Sequence, residues 1–120
     1  MNTMNLALRF ILELTALAGF ATWAWQLAGG WWRFAFTLIV VIIAMALWGV
    51  FAVPNDPSRS GNALVAVPGL LRLVLELVIL LSGAYAWHVS GFTLVAVAFA
   101  ALVIFHYLLS IDRILWLLQQ

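Results

Sequence analysis

The chain has 120 residues, 68% of them hydrophobic and 8% charged, with a formal net charge of +1 and no cysteine, whereas soluble domains carry roughly a quarter charged residues. A soluble fold this apolar would expose aggregating surface unless lipid or a partner covered it, so the composition points to a membrane protein. The five basic residues are too few and too scattered for a nucleic-acid footprint, and the missing cysteine excludes disulfides, thiolate metal sites and cysteine nucleophiles.

A helix crossing a bilayer needs about 20 mainly apolar residues, and four windows meet that length. The first covers residues 6–28 and stops at Gly29-Gly30. Glu13 interrupts its apolar run, and Trp23 and Trp25 stand where a cleavage site would need small residues, so it is expected to be a retained helix and not a signal peptide. The second covers 32–53 and ends before Pro54. Residues 54–67 gather turn formers and charges into the one real loop, whose apolar Leu64-Val65-Ala66-Val67 is expected along the headgroups. Pro68 opens the third helix, 68–89, at a position where its missing N–H is harmless. Ser90-Gly91 makes a turn, and the fourth helix covers 92–118. That last stretch exceeds what a bilayer requires, so its end should protrude or bend along the interface. The alternation of a membrane barrel is absent, and strands are not expected.

Arginines set the orientation, because basic residues accumulate on cytoplasmic flanks. Four spans put Arg9, Arg59, Arg72 and Arg113 on the side of both termini and only Arg33 on the other, which predicts cytoplasmic termini. Trp and Tyr favour the membrane interfaces. Trp23, Trp25, Trp31, Trp32, Tyr85 and Trp87 are therefore expected as outer anchors, and Trp48 and Trp116 as inner ones.

Residues 8–14 read LRFILEL and residues 71–77 read LRLVLEL. One offset of 63 positions carries Arg9 onto Arg72 and Glu13 onto Glu76. The expected architecture is thus an all-α membrane protein, a single domain over 1–120, in which two helical hairpins are duplicated in parallel as a 2+2 bundle. Arg9 and Arg72 lie close enough to the boundary to snorkel, but no rule of insertion asks for Glu13 and Glu76. An uncompensated charge at mid-helix costs about 2.5–3.5 kcal/mol on the insertion scale, so pairing is expected: Arg9 with Glu76 and Arg72 with Glu13, if the first and third helices are neighbours. His106 should stand level with both acids, as a polar residue hydrogen-bonded across helices. His88 should lie at the outer surface, too far away to share a metal or haem with it. Asp112 and Arg113 are expected at the interface. Ala96, Ala100, Ser82 and Gly83 would let backbones approach closely. No phosphate-binding glycine pattern, nucleophile elbow or metal motif is present. The reading is therefore non-enzymatic, with no cofactor and no metal.

The opening LALRFILEL, the WW at the start of the second helix, the ALWGVFAVP that closes it, and a proline followed by LLRLVLEL resemble the YrdB-type family of small bacterial membrane proteins. The resemblance implies a four-helix bacterial inner-membrane protein, a family without assigned activity, and so carries no functional residues over. Two functions fit the residues. In the first, Arg9, Glu13, Arg72, Glu76 and His106 form a polar network that organises a structural or interaction module, a homodimer or a complex with another membrane protein. In the alternative, the same cluster serves a small-solute or proton-coupled carrier.

Overall fold

The computed structural model describes residues 2–58 and 63–120; Arg59, expected beside the termini, lies outside the described residues. Helix α1 spans Thr3–Leu27. It starts three residues earlier than the sequence suggested because the Asn2 side chain accepts a hydrogen bond from the Asn5 N–H at 2.8 Å and caps it. The chain reverses through Ala28, whose carbonyl accepts from the Arg33 guanidinium at 3.2 Å, and enters α2, Trp32–Val50.

The second helix was expected to reach residue 53 and stops at Val50 instead. Pro54 disfavours helical backbone at Val53, and Phe51–Ala52 turn extended as β1, pairing in parallel with β2, Val65–Ala66. No strand was expected; this pair is two residues long and closes the 53–64 connection. Helix α3 covers Gly69–Val89, α4 covers Thr93–Leu109 and α5 covers Ile111–Leu118. The expected fourth helix is thus two pieces, bent by 70° at Ser110.

Helices α1 and α3 lie side by side at the centre and run in the same direction. Arg9 meets Glu76 near one end, and the Trp87 indole donates to the Thr15 carbonyl further along. A Cβ at Gly83 would stand 2.9 Å from the Ala16 Cα, so only glycine permits this approach. The neighbouring Ser82, paired with Gly83 in the sequence reading, is exposed. Helix α2 packs on α1, α4 on α3 and α1, and α5 folds back under α3. The core is a narrow seam of Leu12, Ala16, Leu80, Ala84, Phe99, Val103 and Tyr107. Only Ala44 of α2 is buried. Among the described residues three helices are long and apolar enough to cross a membrane, four if α4 and α5 form one bent span. The 47 Å long axis matches a bilayer of roughly 40–45 Å with its headgroups.

Candidate polar site in the bundle core

The bundle is apolar outside and charged inside, and Glu76 on α3 is its centre. Helical side chains lean toward the N-terminus, so Glu76 leans back onto Arg72 one turn before it; Arg72 Nε donates to Oε2 at 2.7 Å. Because α1 runs alongside in the same sense, Arg9 is level and donates with both Nη groups, at 3.1 and 2.9 Å. Tyr107 of α4 adds its hydroxyl at 2.7 Å. The bend at Ser110 then swings Arg113 beneath the bundle, where its two Nη groups donate to Glu76 at 2.9 and 2.7 Å. Three N–H or O–H groups thus converge on each oxygen. A carboxylate has about four lone-pair sites, so Glu76, fully buried, has no acceptor capacity left.

Arg113 bridges onward. Its Nε and Nη2 donate to Asp56 at 2.9 and 2.6 Å, tying α5 to the loop after β1. Ser58 donates its N–H and hydroxyl to the same carboxylate. Burial pushes the Asp56 carboxyl up, but the Arg113 and Ser58 hydrogen bonds outweigh it and hold the group below the usual carboxylate range. Arg113 was expected at the interface and is instead buried among these acids. A straight fourth helix would have carried it away, whereas the bend returns it.

Arg72 does not reach Glu13. The end of α2 intervenes: Arg72 Nη1 donates to the free carbonyls of Trp48 and Phe51, a favourable place for a cation at the negative end of a helix dipole. The Trp48 ring lies 5.0 Å from the Arg9 guanidinium and 4.9 Å from that of Arg72. Trp48, expected as an inner anchor, therefore belongs to the cluster, and its Nε1 donates to Glu13 at 3.0 Å. Among the described residues Glu13 otherwise meets only Arg9 Nε, at 3.4 Å, and its side chain stays 27% exposed against 0% for Glu76. Three guanidiniums, those of Arg9, Arg72 and Arg113, thus face three carboxylates, those of Glu13, Asp56 and Glu76.

His106 is buried and its Nδ1 lies 2.7 Å from the Asn5 Oδ1, across from α4 to α1. An amide oxygen only accepts, so Nδ1 carries the proton; Nε2 has no partner among the described residues. Asn5 donates in turn to Ser110 Oγ at 2.7 Å, bracing the bend. His88 is exposed beside Thr93. Among the described residues no group of three or more His, Asp or Glu could hold a metal ion.

The tryptophans divide. Trp31 and Trp32 are exposed and stacked at 4.7 Å, Trp25 stands edge-on to Phe34, and Trp23 is half-buried beside Phe36. Trp116 is half-buried on α5. Trp87, expected as an outer anchor, turns inward against α1.

Sequence reasoning missed Arg113, Asp56, Tyr107, Trp48 and Asn5. The spacing carries one faint signal for Arg113: it is four residues from Leu117 and so shares a helix face with it, and the structure buries both.

A small helical chain with an apolar perimeter and a buried arginine–carboxylate cluster is the class these features define. The family described as a protein of unknown function (DUF2568) matches residues 7–104, and the chain belongs to it. The uncharacterized protein YrdB of Bacillus subtilis (strain 168) is 44% identical over 120 residues, covering all of this chain and 98% of the relative. No solved structure matches the chain.

Proposed function

We propose that the chain is a multi-pass protein of the bacterial inner membrane, a non-enzymatic interaction module whose Arg–Glu network locks the bundle for assembly with a second copy or another membrane protein. In this reading four spans form two parallel-duplicated hairpins, α5 lies along the cytoplasmic interface, and both termini are cytoplasmic. The apolar perimeter supports a lipid surrounding, because such a surface in water would associate without limit. The observation that carries the lock is the saturation of Glu76 by Arg9, Arg72, Arg113 and Tyr107. A carrier needs a group free to take up a proton or an anion, and Glu76 has no spare lone pair.

In the purified, detergent-solubilised full chain, Glu13→Gln combined with Glu76→Gln should lower thermal stability and shift the oligomeric state. Unchanged values for both would overturn the module. The carrier remains the second reading because Glu13 is partly open. Uptake into proteoliposomes driven by a pH gradient, abolished by Glu13→Gln, would establish it in place of the module.

A further inference from the structure

Glu13 borders a recess of about 210 Å³ between α1, α2 and α3. The floor is Ala16, Ala44 and Leu80, all buried, and the rim includes Leu14 and Met45, both exposed on the outer surface of the bundle. Among the described residues Glu13 is the one ionisable group lining it, and Trp48 adds the one other side-chain N–H or O–H group. A cavity of roughly 150 Å³ lined by aliphatic side chains accepts benzene, so this one has room for a single ring carrying a short chain.

The carboxylate at its edge is poorly matched from within the protein. Both Nη groups of Arg9 are on Glu76. That leaves Nε 3.4 Å from Glu13, beyond the usual range of about 2.7–3.2 Å for such a hydrogen bond. Trp48 donates to Oε1, and no hydrogen bond reaches Oε2 among the described residues. An acyl chain lying in the recess would fill its volume and offer Oε2 nothing, and a charged oxygen without a donor is unfavourable in hydrocarbon. An apolar body that ends in an ammonium group satisfies the recess and the carboxylate together. Because the rim is on the surface facing the surroundings of the bundle, such a molecule would enter from the lipid phase.

We propose that the recess beside Glu13 binds a membrane-dissolved amphiphilic amine, its ammonium on the free carboxylate oxygen and its apolar part between α1, α2 and α3. This goes beyond the lock centred on Glu76, and needs only that the bundle stand in a bilayer.

The test uses the full chain in zwitterionic lipid nanodiscs, with empty nanodiscs as the reference. Fluorine NMR follows 2-(4-fluorophenyl)ethylamine and its neutral counterpart 2-(4-fluorophenyl)ethanol. Saturable binding of the amine is expected, with the alcohol roughly tenfold or more weaker because it lacks the charge-assisted hydrogen bond. Glu13→Gln should bring the amine to the level of the alcohol. Ala44→Leu, which fills the floor without touching the charges, should remove binding of both while helical content is kept. The proposal is overturned if amine and alcohol bind alike, if Glu13→Gln leaves the amine unaffected, or if neither probe saturates beyond empty nanodiscs. Should Glu13→Gln fail to fold, Ala44→Leu decides: amine binding that survives it overturns the site, and binding lost from a folded variant supports it. None of these readings moves if Glu76→Gln proves harmless, so the recess and the lock can fail separately.

Discussion

Glu13 on α1 and Glu76 on α3 occupy matched places in two copies of one seven-residue pattern, yet one is half-open with two partners and the other sealed by four. The helices themselves do not create the difference, since both are central and parallel. Its source is the segment of chain that leaves each hairpin. At the end of α2 the Trp48 ring and carbonyl, and just beyond it the Phe51 carbonyl of β1, draw Arg72 away from Glu13. After α4 it bends by 70° and returns Arg113 to Glu76. Both continuations therefore deepen the environment of the same carboxylate. A duplicated motif sets the positions of charges, and the flanking segments decide which copy becomes the lock.

The strongest way to break this contrast is Glu76→Gln. Removing one partner of a buried ion pair costs about 3–5 kcal/mol, because the remaining charge stays buried and uncompensated; here Arg72 would lose its carboxylate, Arg9 would keep only the long contact to Glu13, and Arg113 would keep Asp56. Denaturation in mild detergent should show a loss of this order. A loss no greater than that from Glu13→Gln would erase the distinction between the copies.

Next in size is the contact that holds α5 in its bent position. A Cβ on Gly69 would clash with the Leu117 carbonyl, backbone and not a flexible side chain. Gly69→Ala should therefore push α5 off α3, destabilising by about 1–3 kcal/mol as overpacking does. Hydrogen exchange should rise across 111–118 while the α1–α3 seam stays protected. Unchanged protection of α5 would mean that the bend is held by Arg113 and the Asn5–Ser110 hydrogen bond without the Gly69–Leu117 approach.

The long apolar windows, the turns at Gly29-Gly30 and Ser90-Gly91 and the repeat were legible because each is local. Arg9 could be paired with Glu76 because two helices entering in one sense put repeated residues at similar heights, and Glu76 is one turn from the matching Arg72. The bend was not legible as a geometry. Ser110 looks like any small polar residue, and its role depends on Asn5, which is 105 positions away in sequence. Asp56 and Arg113 are likewise 57 positions apart, so nothing in the spacing ties them together. Trp48 was read by the general preference of tryptophan for interfaces, whereas two nearby cations and a carboxylate gave it better partners inside.

Asp56 sharpens the comparison from the loop side, with a smaller effect. Its folded carboxyl is held below the ordinary value, which is about 3.9 in a free chain. Its contribution is therefore complete above that value and lost as the pH falls through the lower folded one. Protection of Ile111–Leu118 against hydrogen exchange should be flat from neutral pH downward, then fall below roughly pH 4. Asp56→Asn should show loosened α5 at neutral pH and a flattened profile. Glu76 still grips Arg113 in that variant, so the loosening is partial. If wild type and variant share one profile, the acid response belongs elsewhere.

The smallest effect is expected at Glu13. Gln keeps the volume and can still accept from Trp48, and the Arg9 contact it forfeits is long and partly exposed. Arg9 itself stays anchored by two hydrogen bonds to Glu76, so no guanidinium is abandoned. A partly exposed ion pair contributes about 0–1 kcal/mol, and the variant should unfold within that margin of wild type in the same detergent. That near-neutrality is what separates a residue available for binding from one committed to the fold. A loss approaching that of Glu76→Gln would place both carboxylates in one lock and leave the recess without a free acid.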